Sequence, residues 1–430
     1  MKASDDEKRI GIEVFYTDVE GIGGKLRSKP EDFRVVEIPK RISADEEGDY
    51  IILKVTSKNW ETNHLVRELA RKLGISRKRI SFAGTKDRRA LTTQLFSIYY
   101  PGKDLPEIKM KDVEIEFVCR SNKRMEIGDL IGNEFQIVIR DVKIGREKAK
   151  KSIEEINREL EQIGGFPNFY GFQRFGSLRP VTHLVGKEIV KGNFDKAVDI
   201  YLTYTTDKEE ETSRLARERF SKERDISKAL SYFPKHLNFE LALLNELKKG
   251  RSGVDALQSL PKNLLMMFLY AYQSYLFNRI LSERIRRDLP LGGAVEGDLI
   301  VPLTKYGEED EIIPVTSRNI EKVNRMISVG KAVVTGAIVG YDTKFADGEM
   351  GEIERRIVEE ESIDVRDFVV PEIPFLSSKG GRRPLVSKYT DFSYTFLDDT
   401  SILMKFSLRK GSYATSLLRE FMKCEDIRNY

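Results

Sequence analysis

Cysteine and histidine are scarce in this sequence. Among 430 residues there are two cysteines and three histidines. Cys119 and Cys424 lie far apart, and His64, His183 and His236 each stand alone. Neither set has a metal-ligand spacing, so a His/Cys zinc site and a disulfide framework are both excluded, and the chain reads as cytoplasmic. Long apolar runs are also missing. None reaches the ~18 residues that a bilayer span needs, and Met1 to Glu13 is polar and charged, with no secretory signal. No GxGxxG or GxxxxGK[ST] follows a strand, so a nucleotide-cofactor fold has no support. There is no internal repeat. A large excess of one charge is lacking too: 73 basic residues face 69 acidic ones, for a net +4. An argument for nucleic-acid binding must therefore rest on clustering rather than on the total.

What is present is a highly charged globular chain long enough for ~2–3 domains. Gly24 to Arg27 and Phe33 to Ile38 read as strands, joined by a turn at Ser28-Lys29-Pro30-Glu31-Asp32. Tyr50 to Val55 is a third strand. Leu65, Val66, Leu69, Ala70 and Leu73 share one helical face, and Gly74 ends that helix. Val113 to Val118 and Phe135 to Arg140 alternate as half-buried strands, with Gly128 to Asn133 as a turn before the second. Ile153, Ile156, Leu160 and Ile163 mark another helix. Strands with short links and two amphipathic helices indicate an α+β fold with a mainly antiparallel mixed sheet.

Between these elements lies Ser81-Phe82-Ala83-Gly84-Thr85-Lys86-Asp87-Arg88-Arg89-Ala90. It reads as strand, short loop and strand, with the break at Gly84, where φ > 0 costs nothing. Arg67 to Arg89 is the densest basic stretch of the chain, and Glu68 and Asp87 are its only acids. Such a stretch is a solvated face or a phosphate-binding one. Asp87 is either a solvated turn residue or a carboxylate held ionised by the cations around it and shown to the substrate they attract.

Phe166 to Ser177 crowds aromatics, two glycines, Asn168, Gln173 and Arg174 together. An aromatic core loop would use such residues, and so would a site that stacks on a base and reads its edge. After residue 186 the composition turns helical and charged. Leu264 to Leu281 is apolar almost all round, as in a buried helix, and Gln273 and Asn278 read as satisfied core amides. Ser377 to Pro384 reads as a Gly/Ser/basic link. The tail carries a strand from Ser401 and a helix from Ser416.

Six stretches, taken together and in order, resemble the TruD family of tRNA pseudouridine synthases, in its archaeal type. They are Lys29 to Phe33, Ala83 to Asp87, Gly128 to Asn133, Asn168 to Gly176, Ala271 to Asn278, and Lys410 to Thr415. The resemblance covers most of the chain. It implies a pseudouridine-synthase catalytic domain formed by residues 1–185 and 383–430, with a helix-rich TruD-specific domain inserted at 186–382. It implies isomerisation of uridine to pseudouridine in tRNA, at position 13 for much of the family, with other RNAs as further targets. No metal and no organic cofactor are implied, and oligomeric state is left open.

Residue by residue, Asp87 matches the essential aspartate, and Arg27 matches its basic partner, which is Lys in bacterial members. Phe33, Asn168 and Tyr413 match uridine-contacting positions. Tyr170 matches the ring that stacks on the target base. Lys86, Arg88, Arg89 and Arg174 are the candidates for RNA backbone contacts. Two rivals stay open at this stage. One is an RNA-binding protein without catalysis. The other is a metal-dependent nuclease using Asp87 with Glu31 or Asp32.

Overall fold

The computed structural model describes residues 1–430 apart from 87, 88, 103, 305, 306, 309 and 310, and gives Gly307 and Glu308 by backbone only. The chain divides into two compact units. Val19–Leu160, Ser387–Cys424 and Asn429–Tyr430 form the first, and Met1–Asp18, Glu161–Val386 and Glu425–Arg428 form the second.

The first unit is built on one sheet. Its strands in chain order are β1 (Gly23–Lys25), β2 (Phe33–Pro39), β3 (Tyr50–Lys58), β4 (Ile80–Phe82), β5 (Leu91–Tyr99), β6 (Val113–Ser121) and β7 (Leu130–Val142), followed by Tyr389–Phe396 and Ile402–Arg409. Across the sheet the order is Tyr389–Phe396, Ile402–Arg409, β7, β2, β5, β3, β6, with β1 on β7 and β4 on β5. Only β2 and β5 run parallel among these pairs. The mainly antiparallel mixed sheet of the sequence reading is therefore present.

Alternation along β3 sends Ile51, Leu53 and Val55 to one face, where they meet Leu65, Val66, Leu69 and Ala70 of the helix Thr62–Leu73. Ile52 points the other way and packs with Ala83, Leu95, Met125 and Leu130. The helix stops where expected, with Gly74 left-handed at φ 64°.

Two glycine readings change. Gly84 does not use positive φ, and a Cβ there would meet only ordinary contacts, the nearest being Lys86 Nζ at 3.6 Å. The stretch Gly128 to Asn133 is a turn only in its first half, because β7 already begins at Leu130. Gly132 sits inside that strand opposite Arg409, where a Cβ would fall 2.0 Å from the Leu408 carbonyl oxygen. It marks a close strand approach rather than a turn.

The second unit packs helices around Lys262–Arg286, which buries residues on nearly every side. Helix Thr182–Val190 lies against it so closely that a Cβ on Gly186 would strike the Phe268 carbonyl at 2.0 Å. A small antiparallel sheet runs Gly307–Glu308, Leu299–Thr304, Ala332–Ile338, Gly381–Pro384, with Ile313–Pro314 also on Leu299–Thr304. The Gly/Ser/basic link of the sequence reading is thus partly a strand. Gly381–Pro384 pairs with Ala332–Ile338, and Arg382 and Arg383 are half-buried there while Lys379 stays exposed. Arg382 donates to Glu354 and to Thr335. No helix among the described residues is long and apolar enough to cross a membrane.

Candidate active site

In the first unit the candidate site begins at the turn into β2. Asp32 is buried and takes a two-pronged bond from Arg140, with Nε at 2.8 Å and Nη2 at 2.6 Å. Burial pushes the Asp32 carboxyl up, but the Arg140 guanidinium and the Lys29 amide outweigh it and hold the group below the usual carboxylate range. Its oxygens are thereby committed, and Glu31 pairs with Lys58. Neither acid that the nuclease rival needed is set out as a ligand.

The anchored turn delivers Phe33, which packs edge-on to Phe135 at 6.3 Å; Phe135 in turn stacks on Phe406 at 5.4 Å. On Phe33 lies the guanidinium of Arg27, 4.2 Å from the ring centroid. The structure thus brings together two of the sequence candidates. Phe33 is only 3% exposed and serves as a platform under Arg27. Arg27 itself is held at φ 55°, a left-handed value uncommon for a side chain with Cβ.

The Asp87 loop is tied down on its N-terminal side. The Ala83 carbonyl accepts from the Gly128 amide at 2.7 Å, and the Lys86 amide donates to Thr62 Oγ1 at 2.8 Å. Lys86 Nζ donates to Glu37 Oε2 at 2.9 Å, and the two side chains are 7% and 1% exposed. This corrects the reading of Lys86 as a surface contact for phosphate. Its charge lies inside, spent on a buried partner. Asp87 and Arg88 lie outside the described residues. Arg89 is exposed.

The same Gly128 turn also holds the C-terminal stretch. Lys410 donates from Nζ to the Gly128 carbonyl at 3.3 Å and from its amide to the Ile131 carbonyl at 3.1 Å. Ser387 and Ser412 share a hydroxyl bond at 2.6 Å. Tyr413 then stands at the N-terminal end of the helix Ala414–Met422 and is half-buried. Three of the six resembling stretches therefore converge on one turn.

Asn168, Tyr170 and Arg174 belong to the second unit and cluster there. The Tyr170 amide donates to Asn278 Oδ1, and Asn278 Nδ2 donates to the Tyr170 and Ile10 carbonyls. Gln273 donates to the Val339 carbonyl and to Ser378. Both amides of the buried helix are satisfied, and Asn278 fixes the backbone of Tyr170. Arg174 lies 5.3 Å and Arg383 4.1 Å from the centre of the Tyr170 ring. Arg383 also donates to Asn168. Gln173 is exposed.

Sequence reasoning missed Glu37, Thr62 and Arg383. For Glu37 a signal existed: alternation along β2 puts it on the same buried side as Phe33 and Val35, and an acid in that register needs a partner.

Comparison with known proteins agrees with this architecture. A crystal structure of TruD from Methanosarcina mazei superposes with a TM-score of 0.88 at 40% identity, covering 98% of this chain and 99% of that one. The two share one α+β fold with a helix-rich second unit. A relative named a probable tRNA pseudouridine synthase D, from Methanococcoides burtonii, is 42% identical over 432 residues, 98% of each chain. Another of that name, from Archaeoglobus fulgidus, is 40% identical over 425 residues, 97% of this chain and 99% of its own. The family model for tRNA pseudouridine synthase D matches residues 9–421. This chain belongs to the TruD family of tRNA pseudouridine synthases.

Proposed function

We propose that the chain isomerises uridine to pseudouridine in tRNA, with uridine 13 as the target and Asp87 as the essential carboxylate. The observation that carries the reading is the anchoring of the stretch from Ala83 to Lys86, which leads into Asp87. It is bonded through Ala83 to the Gly128 turn that Lys410 also grips, and through Lys86 to Thr62 and Glu37. A catalytic group must be held by its supports more tightly than a solvated turn would be.

The reaction changes no atom count. The N1–C1′ bond breaks, the freed base turns, and C5 bonds to C1′; the C5 hydrogen leaves and N1 gains one. A uridine inside a helix is out of reach, so the base is flipped at a cost of a few kcal/mol. Stacking on Tyr170 or Tyr413 recovers ~1–3 kcal/mol per ring. In this reading Asp87 acts ionised, and the stacked guanidinium of Arg27 supplies the charge that favours that state. Phe33, by supporting Arg27, contributes to the uridine site from beneath. Asn168 is assigned to the uridine on the family's pattern. Arg88, Arg89 and Arg174 are assigned to phosphates, and Lys86 to the loop. The catalytic domain is proposed to comprise 1–185 and 383–430, with 186–382 inserted, in a cytoplasmic enzyme.

The test uses tRNA tritiated at C5 of uridine. Wild type should release tritium without shortening the RNA and with EDTA present, and Asp87→Asn should release none while binding tRNA as before. Turnover above a trace in Asp87→Asn would remove Asp87 from its role. Cleavage that EDTA stops would identify a nuclease instead.

A further inference from the structure

Asn168 is 6% exposed, and its side-chain amide is held at both ends. Oδ1 accepts from Arg383 Nη2 at 2.6 Å, and Nδ2 donates to the Pro384 carbonyl at 2.9 Å. The backbone is held as well. The Asn168 amide donates to the Leu385 carbonyl at 2.9 Å, and its carbonyl accepts from Arg383 Nε at 3.3 Å. From these contacts we infer that Arg383 is a positioning residue that locks the Asn168 amide in one of its two orientations, and that the lock lets Asn168 tell uracil from cytosine. The inference rests on the proposed reading that Asn168 meets the target base.

An asparagine amide turned by 180° has nearly the same shape but exchanged donor and acceptor, and its partners decide which way it lies. Here the partners permit one answer. Arginine carries five N–H donors, no acceptor and a permanent charge, so the atom facing it must be oxygen. A carbonyl only accepts, so the atom facing Pro384 must be the NH₂ group. The turned amide would set N–H against guanidinium and oxygen against carbonyl, two repulsive contacts in place of two bonds.

Arg383 is in turn held where it is. It lies in the strand Gly381–Pro384 opposite Gly336, with its guanidinium against the rings of Tyr170 at 4.1 Å and Phe277 at 5.6 Å. Its neighbour Arg382 leaves on the other side of the strand for Glu354.

Among the described residues, the lock leaves Asn168 one Nδ2 hydrogen and one Oδ1 lone pair without a partner. A side-by-side donor and acceptor matches the uracil edge, where N3–H donates beside an accepting carbonyl. Cytosine shows the reverse pattern, an accepting N3 beside a donating N4 amine. An amide free to turn would serve both bases equally. A fixed amide serves one.

The experiment compares two tRNAs, one natural and one with cytidine replacing uridine 13, the proposed target. Their dissociation constants are measured on full-length Asp87→Asn protein, so that nothing turns over, with Arg383 kept or changed. With Arg383 present, the uridine RNA should bind about tenfold more tightly, within the range of a two-bond base contact. Arg383→Gln both donates and accepts, so it releases the amide, and the ratio should fall towards one. Arg383→Lys still only donates, so it should keep most of the ratio. Should Arg383→Gln melt early, Arg383→Met removes the donor at similar volume and should also bring the ratio towards one. A purely structural role would weaken both RNAs alike. An unchanged ratio in the Gln or Met variant, or no discrimination with Arg383 present, overturns the inference and leaves the proposed isomerase activity standing. Absence of tritium release by wild type overturns both.

Discussion

Arg27 combines a charge with a plane. Its guanidinium lies on Phe33 at 4.2 Å, from a backbone held at φ 55°. A left-handed non-glycine residue costs ~1–3 kcal/mol and persists only where its surroundings over-determine it, and such positions cluster at working sites. If Arg27 keeps the proposed Asp87 ionised, Arg27→Ala should raise the carboxyl's pKa. The variant should then be slow at neutral pH and recover as pH rises, because deprotonation restores the active form. Asp87→Asn should not recover at any pH. Arg27→Lys keeps the charge but not the flat face, since lysine cannot stack as a guanidinium does. It should fall between Ala and wild type. Single-turnover rates from roughly pH 5 to 9 decide this. An Arg27→Ala profile parallel to wild type would mean that Arg27 only packs on Phe33.

Among elements, β2 carries one half of a buried ion pair. Phe33, Val35 and Glu37 face inwards in alternation, and Glu37 meets Lys86 in a pair nearly closed to water. Removing one member of such a pair leaves the other charged and alone, at a cost of about 3–5 kcal/mol. Lys86→Met should therefore lower the unfolding midpoint strongly, and Lys86→Met combined with Glu37→Gln should regain much of the loss. If the double variant is no better than the single one, the pair is not what holds the loop.

In the helix Thr182–Val190, His183 is buried between Phe175 at 5.3 Å and Tyr275 at 5.1 Å. Burial pushes its pKa down to about 4. The unfolded chain, with an ordinary histidine near 6.5, binds the proton first as pH falls. Stability should thus be full above about 6.5 and drain away between 6.5 and 4, by about 3 kcal/mol in total. His183→Phe should remove that part of the acid sensitivity. Urea unfolding of both proteins at pH 7 and 4.5 measures the difference, and equal acid losses would refute it.

At the scale of the molecule, a formal charge of +4 over 430 residues attracts RNA only weakly, so the clustered cations must do it. Each phosphate neutralised should add about one unit to the slope of log affinity against log salt. Arg89→Ala should reduce that slope by about one and weaken all tRNAs alike, whereas Lys86→Gln should leave it unchanged, because Lys86 is buried. Equal slopes in wild type and Arg89→Ala would take Arg89 out of the interface. Alternation and helical spacing alone were enough to find β6, the second half of β7 and the helix Thr62–Leu73. Such patterns record which side of an element is buried, and burial is written locally as a period of two or 3.6. The stretches around Lys29, Ala83, Gly128, Asn168, Ala271 and Lys410 were likewise legible, because they are contiguous. The partners of those stretches were not. Gly132 reads as a turn but lies in a strand opposite Arg409, hard against the Leu408 carbonyl, and Arg383 reads as part of a link but lies in the paired strand Gly381–Pro384. Lys86 looked like a surface cation, yet it meets Glu37, 49 positions away. A lysine or an arginine reads the same in sequence whether it faces water, a carboxylate or an amide. Only the tertiary fold, by bringing distant residues within 3 Å and shutting out water, decides which charge is free to meet a substrate and which is already paired.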